Sequence, residues 1–363
     1  MASPVAPQNK RFPLFGYPIA HSSAPGLHNT CFDALKSGNR YELWPTSKIT
    51  EDVLEFIKSD EFGGCAVTMP NKAAIIPHLD EVSPETQVTD ACNTIVKVRT
   101  ENGFKFVGQN TDILGVRNAL LNALRDQYPG KNLSSQSSFC PSVKGAGLVI
   151  GGGATTRSAA HALTLLGLSP IFLINRDPEE VRVVMEAMPH LSEKGGLIHL
   201  KNPDDVEKYL VGPNACTLLM AVGAIPAIAP VTYAERMVYT TVMSASTIPY
   251  KQPTTESGLP LPIKRIFLEM PYKPRRTPML QIAEATGWHV INGIQAMIEQ
   301  GLAQQRMWYS GIATVEAGSD TTILSKEIED SARRFAEEMK EITVHDKEVD
   351  RAAGKEAIIV PKK

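Results

Sequence analysis

Two side chains at turns behind apolar runs are of the types that move protons. Lys72 closes Val67-Thr68-Met69-Pro70-Asn71-Lys72, and Asp112 closes Gly108-Gln109-Asn110-Thr111-Asp112. A lysine near a carboxylate, partly withdrawn from water, can both donate and accept a proton. Reduction of a ketone leaves an alkoxide that needs such a donor. Taken singly, each residue also fits a plain surface charge. The stretch GLVIGGGATTRSAAHAL offers a different chemistry: an apolar run enters Gly151-Gly152-Gly153, and a helix-prone run leaves them. Glycine permits the tight turn and the close approach of backbone N–H groups to a pyrophosphate, and a helix N-terminus adds partial positive charge. The spacing is Gly151-x-Gly153-x-x-Thr156, so a small threonine stands where the third fingerprint glycine belongs. Asn175-Arg176-Asp177 follows roughly 22 residues beyond Gly153, where a ribose-reading residue is expected. An acidic residue there bonds a 2′-hydroxyl, whereas an arginine favours a 2′-phosphate. Both types are present, so NAD and NADP both remain open.

The elements that position these groups follow from periodicity and turn residues. Phe12–Pro18 reads as a buried strand, and Ala24–Leu35 as a helix that Ser22 or Ser23 can cap. Tyr41–Pro45 is a strand, Glu51–Lys58 an amphipathic helix, and Gly64–Met69 a buried strand stopped by Pro70. This alternation predicts an open parallel sheet covered by helices. Val107–Asp112 leads into a helix over Ile113–Arg125, and the link between domains is placed near that helix. Asp126–Gly145, rich in Ser, Gly and Pro, reads as an exposed loop. Strands over Gly147–Ile150, Pro170–Ile174, Thr217–Val222 and Arg265–Met270 predict a second, doubly wound unit, with helices at Thr156–Leu166 and Pro178–Ala187. Pro278–Thr286 and Gly293–Tyr309 are helical, and the latter can return to the first domain. From Ser325 the chain is charged and helix-prone, and beyond Lys340 it reads as a solvated tail.

A chain of 363 residues with 43% hydrophobic content suggests two cores rather than one. The net charge of -2 provides no basic field for nucleic acid and no case for an anionic membrane. Five scattered cysteines (Cys31, Cys65, Cys92, Cys140, Cys216) form no CxxC, so reduced core thiols are expected and no metal site is. No apolar run reaches membrane-spanning length, and Met1–Arg11 lacks a signal-peptide core, so a cytoplasmic location is expected.

Several segments together resemble the shikimate/quinate dehydrogenase family. His21-Ser22-Ser23-Ala24-Pro25 with His28-Asn29 is similar to its HSxSPxxHN. VTMPNK (67–72) is similar to VTxPxK, Ala91-Cys92-Asn93-Thr94 to GAxNT, and GQNTD (108–112) to GxNTD. The glycine loop, Asn175-Arg176, Tyr272-Lys273-Pro274 with Thr277-Pro278, and the late helix with Gln300 and Trp308 follow in the family's order. Glu269–Pro274 and Gly223–Ala227 look most like fungal members. The resemblance runs from about Phe12 to Gly311.

It implies a two-domain α/β fold: an open parallel-sheet substrate domain over 1–125, with helices from 290–325 returning to it, and a Rossmann NAD(P) domain over 140–288. Residues 326–363 would be a charged extension. It also implies an active site in the cleft between the domains. By position, Lys72 is the acid/base and Asp112 its partner. Asn93 bonds ring hydroxyls, Ser22 holds the substrate carboxylate, and Thr68, Tyr272 and Gln300 surround the ring. Gly151, Gly152, Gly153, Ala154 and Thr155 cradle the pyrophosphate. Asn175, Arg176 and Asp177 face the adenine ribose, and Val222 and Gly293 complete the cofactor seat. The implied reaction is reversible oxidation of a cyclic polyhydroxy acid to its 3-dehydro ketone by NAD or NADP. Related amino or deoxy acids, and a catalytically silent metabolite-binding regulator, are the alternatives. The implied assembly is a monomer or homodimer.

There are departures from the pattern. Ala24 replaces the second serine of SxS, and Ser23 is read as pointing elsewhere on an extended turn. One donor to the substrate carboxylate is thus lost, worth roughly 1.5–3 kcal/mol. Ala154 stands where many members have glycine, and Met220-Ala221-Val222-Gly223 replaces NATSxG.

Overall fold

The computed structural model describes residues 9–20, 22–129, 145–252 and 261–338, and the strand backbones at 349–351 and 356–358. His21, Cys140, most of the Ser/Gly/Pro-rich loop and most of the tail beyond 340 lie outside the described residues. The chain divides into two compact units, Met1–Gly115 with Met297–Lys363, and Val116–Ala296.

In the first unit, β1 (Arg11–Gly16), α1 (Ala24–Ala34), β2 (Arg40–Pro45), α2 (Glu51–Ile57) and β3 (Gly64–Val67) alternate as expected. β4 (Glu81–Val82), α3 (Pro84–Thr89), β5 (Thr94–Thr100) and β6 (Gly103–Gln109) follow. The strands form one sheet in the order β2-β1-β3-β5-β6-β4. β1 runs parallel to β2 and β3, with Leu14 opposite both Leu43 and Ala66. The parallel expectation rested on these three strands. β5 is antiparallel to both β3 and β6, because β5 and β6 form a hairpin that returns the chain through Glu101-Asn102. Phe15, Phe62, Cys65, Val67, Cys92 and Ile95 pack one core cluster, and Phe12, Phe32, Tyr41 and Trp308 another.

The second unit is built from β7 (Gly145–Ile150), α5 (Ala154–Leu165), β8 (Ile171–Ile174), α6 (Pro178–Ala187), α7 (Pro189–Ser192), β9 (Leu197–His199), α8 (Pro203–Val206), β10 (Thr217–Gly223), α9 (Tyr233–Thr247), β11 (Ile266–Glu269), α10 (Pro278–Ala285) and β12 (His289–Asn292). All strand pairs are parallel, in the order β12-β11-β10-β7-β8-β9. Counted within the unit, this is the 3-2-1-4-5-6 order of a Rossmann sheet, with its topological switch between β7 and β10. β7 and β8 are buried along their whole length, which explains their unbroken apolar sequences.

Two helices carry the chain across the division. α4 (Asp112–Asp126) contains the break after Gly115, and α11 (Gly293–Ser310) contains the return at Met297. The division thus falls inside continuous helices, the first of them the helix near which the link was expected. After α12 (Val315–Ser319), α13 (Lys326–Glu338) belongs to the first unit. Its charged sequence hides a buried stripe of Glu329, Ala332 and Ala336. Arg306 Nη2 meets Glu329 Oε1 at 2.7 Å, with both side chains almost sealed from water.

Candidate active site

In the first unit the protein brings four of the expected residues into one hydrogen-bonded group. Lys72 stands in the turn after β3, and its backbone carbonyl accepts from Cys92 N at 2.9 Å. Asp112 is the first residue of α4, so its carboxylate also sits at a helix N-terminus. Lys72 Nζ and Asp112 Oδ2 are 2.5 Å apart, with side-chain exposures of 12% and 16%. Both are therefore largely withdrawn from water yet reachable from it.

The second oxygen of Asp112 is also held. Asn93 Nδ2 donates to Asp112 Oδ1 at 2.8 Å. The opposite end of that amide accepts from Thr94 Oγ1 (2.7 Å), Thr111 N (2.8 Å) and Thr111 Oγ1 (3.1 Å). Three donors on one oxygen fix which end of the Asn93 amide faces Asp112. Asn110 Oδ1 accepts from Asp112 N, and Asn110 Nδ2 donates to Thr89 Oγ1. Gln300 Oε1 lies 3.5 Å from Asn93 Nδ2 and 3.4 Å from Thr111 Oγ1.

Sequence reasoning missed the residue that braces this group from behind. Gln304 Nε2 donates to Thr94 Oγ1 at 2.8 Å and to Asn93 O at 3.3 Å, at 1% exposure. Its signal was available, since it lies one helical turn beyond Gln300 on the same face of α11. Thr94 and Thr111 were read only as motif letters, yet both are fully buried partners of Asn93.

Thr68 and Ser22 have other neighbours in the first unit. Thr68 turns its methyl toward Gly16, where a Cβ would collide with it. Ser22 Oγ accepts from Ala24 N at 3.3 Å. Ser23 is the N-cap of α1 but makes no side-chain cap bond, and its backbone (φ -94, ψ -5) is helical rather than extended. Pro25 follows without an N–H, so less capping is needed there. Tyr272 belongs to the second unit and is half-buried, with Lys273 Nζ 5.6 Å from its ring centre. His28 is fully buried, stacked on Tyr41 at 4.3 Å, and its pKa is pushed down to about 3 by burial.

In the second unit the glycine loop fits a dinucleotide. Gly151 has φ +151, where a Cβ would meet Thr156 Oγ1 and Ala224 O. Gly153 caps α5 with no side chain over its N-terminus, and a Cβ there would meet open space. At Gly152 a Cβ would meet the side chains of Asn175 and Glu180, so the open backbone of this loop lies at Gly153 and the start of α5, at the end of β7 beside the topological switch. Val222 is fully buried in β10. At Gly293 a Cβ would collide with the carbonyl of Met270, which explains the glycine by packing.

At the end of β8, Asn175 Nδ2 donates to Glu180 Oε2, and Asp177 Oδ1 accepts from Glu179 N to cap α6. Arg176 is paired with Glu235 at 2.5 Å. Glu269, at the end of β11, is 1% exposed. Burial pushes its carboxyl up to about 8, and Oε2 has no hydrogen-bond partner among the described residues. Among the described residues no group of three or more His, Cys, Asp or Glu can hold a metal, and no helix is long and apolar enough to cross a membrane.

Residues 14–95 match the shikimate dehydrogenase substrate binding domain. Among solved structures, the dehydroquinate dehydratase and shikimate dehydrogenase from S. pombe is 28% identical with a TM-score of 0.67. The match covers 92% of this chain and 53% of that one, so this chain spans about half its length. Shikimate 5-dehydrogenase from Thermus thermophilus, in complex with NADP(H) and shikimate, is 25% identical with a TM-score of 0.57, over 90% of this chain and 99% of that chain. Quinate dehydrogenase from Corynebacterium glutamicum, in complex with NAD, shares the fold at 17% identity and a TM-score of 0.62, over 89% and 98%. Residues 14–95 thus match a shikimate dehydrogenase substrate binding domain, and the motifs and the two α/β units make the chain similar to shikimate and quinate dehydrogenases.

Proposed function

We propose that the chain catalyses the reversible NAD(P)-dependent oxidation of a cyclic polyhydroxy carboxylic acid, of the shikimate or quinate type, to its 3-dehydro ketone. The observation that carries this reading is the Lys72–Asp112 pair at 2.5 Å, with Asn93 on the remaining carboxylate oxygen. The nicotinamide cofactor supplies the hydride chemistry when bound. In the reductive direction the Lys72 ammonium donates its proton to the oxygen that becomes the hydroxyl. In the oxidative direction the neutral Lys72 amine accepts the hydroxyl proton as the carbonyl forms.

Asp112 offsets the charge on Lys72 and aims Nζ, because its own orientation is fixed by Asn93. With Asp112 bonded on both oxygens, the pair enters the reaction without reorganising, which is how preorganised charge lowers a barrier. Asn93, Gln300 and Thr68 are the residues proposed to meet ring hydroxyls, with Tyr272 from the second unit. Ser22 is proposed for the carboxylate. The backbone from Gly151 to Thr155 would hold the pyrophosphate, and Asn175 to Asp177 the adenine ribose.

The test is turnover by the purified chain with shikimate, quinate and their amino or deoxy relatives, with each cofactor. Lys72→Ala should lower kcat by about 10²–10⁴-fold, the worth of a positioned acid/base. Its cofactor affinity should stay unchanged. No turnover with any of these acids would refute the proposal. Ala24 favours a second reading, a metabolite-binding regulator, which predicts thermal stabilisation by one of the acids without turnover.

A further inference from the structure

The strand end that would face the adenine ribose carries an arginine that is already engaged. Arg176 Nη1 lies 2.5 Å from Glu235 Oε1. Glu235 is the fixed member of the pair. Its Oε2 accepts from Val231 N at 2.8 Å and Thr232 N at 2.9 Å, while Thr232 Oγ1 accepts from Glu235 N. These bonds form the capping box of α9. The backbone N–H groups of Thr232 and Val231, with Arg176 adding to them, pull the Glu235 carboxyl down to about 2. Glu235 is therefore a permanent anion, built into a helix start and only 11% exposed, while the Arg176 side chain is 46% exposed.

Two side chains of the β8 end and α6 carry the same sign as Glu235. Asp177 caps α6 through Oδ1, and Glu180 accepts from Asn175. Glu179 is matched by Arg182. Arg176 itself is paired with the Glu235 carboxylate, while Arg236, the next residue along α9, donates to Val231 O at 2.7 Å. A 2′-phosphate seated on Arg176 must compete with an immobile carboxylate. A free 2′-hydroxyl meets no such conflict and can donate to Asp177.

We propose that Glu235 is a cofactor-selecting residue: by occupying Arg176 it turns the ribose seat against a 2′-phosphate and toward NAD. This rests on the dinucleotide reading of the second unit and names what decides between its two cofactors. No contact between Glu235 and the nicotinamide or the acid is needed, so the effect lies in cofactor affinity.

The experiment measures dissociation constants of NAD⁺ and NADP⁺ by calorimetry on the full chain, for wild type, Glu235→Gln, Arg176→Ala and the double variant. Wild type should bind NAD⁺ the more tightly. Glu235→Gln keeps an oxygen for the backbone N–H groups but removes the charge. It should tighten NADP⁺ by about tenfold or more and leave NAD⁺ within about twofold. The double variant should lose that gain, because the freed guanidinium is its source. Arg176→Ala alone, at an exposed site that does not threaten folding, should leave NADP⁺ no tighter than in wild type. A wild-type preference for NADP⁺, or equal shifts for both cofactors in Glu235→Gln, overturns the role of Glu235. If neither cofactor binds wild type, the dinucleotide reading itself fails and takes this proposal with it.

Discussion

Replacing Glu269 by glutamine should stabilise the second unit, and by more as the pH rises. Glu269 ends β11 with its side chain against Gly223 of β10, where a Cβ would collide with Oε2. It is 1% exposed, bonded to Thr277, and its Oε2 has no partner among the described residues. Burial moves its carboxyl from 4.5 to about 8. Below 4.5 both folded and unfolded chains hold the proton, and stability does not depend on this group. Between 4.5 and about 8 the unfolded chain releases the proton and the folded chain keeps it, so stability falls as pH rises. The slope is about 1.4 kcal/mol per pH unit, and by pH 7 the loss is on the order of 3 kcal/mol. Glutamine fills the same volume, stays neutral and removes the slope. Hydrogen exchange is the suitable assay, because it reports on one unit without requiring the whole chain to unfold in one step. The bond from Met270 N to Gly223 O, which ties β11 to β10, gives a local probe. At pH 5 the two proteins should protect this amide almost equally. At pH 8, after correction for intrinsic exchange, the variant should be protected more by orders of magnitude. A difference that stays constant from pH 5 to pH 8 would show an ordinary, hydrated carboxylate, and the argument from burial would be wrong.

Three further outcomes are expected. Gly151→Ala should weaken dinucleotide binding at least about tenfold, since φ +151 disfavours a side chain and the new Cβ would press on Thr156 Oγ1 and Ala224 O; unchanged affinity by calorimetry would remove the loop from the cofactor seat. Gln304→Leu should lower kcat by about fivefold to thirtyfold, the worth of 1–2 kcal/mol of lost buried hydrogen bonding, with cofactor affinity unmoved. A full kcat at an unaltered melting temperature would mean that Thr94 and Thr111 hold Asn93 unaided. Ala24→Ser should lower KM for the acid by about tenfold or more, the equivalent of one hydrogen bond to a charged group, and an unchanged KM would show that no carboxylate lies beside α1.

What could be read from sequence, and what could not, divides along a physical line. Where a signal is local and repeated, the residues spoke for themselves. The apolar runs of β1, β7 and β8 are buried throughout, and Gly151 and Gly153 between β7 and α5 have, respectively, the positive φ and the open space their type suggests. Lys72 and Asp112 sit forty positions apart in the chain, and only the motif spacing linked them; the fold closes that distance through the β5–β6 hairpin. That hairpin escaped the reading because Lys97 and Arg99 interrupt the apolar pattern of Thr94–Thr100. Partners that act through long-range hydrogen bonds were out of reach for a related reason. Gln304 meets Thr94 across 210 residues, and Glu235 meets Arg176 across 59. Neither has a composition that announces its task, since a buried glutamine and a helix-capping glutamate look like many others. α13 shows the converse, for its charges suggested solvent while Glu329 is buried against Arg306. A charged residue goes inside at lower cost when an opposite charge on another element is waiting, and that partner is a property of the fold. The residues proposed to touch the reacting groups are thus legible from type and spacing, while those that brace them become visible only once the chain has closed on itself.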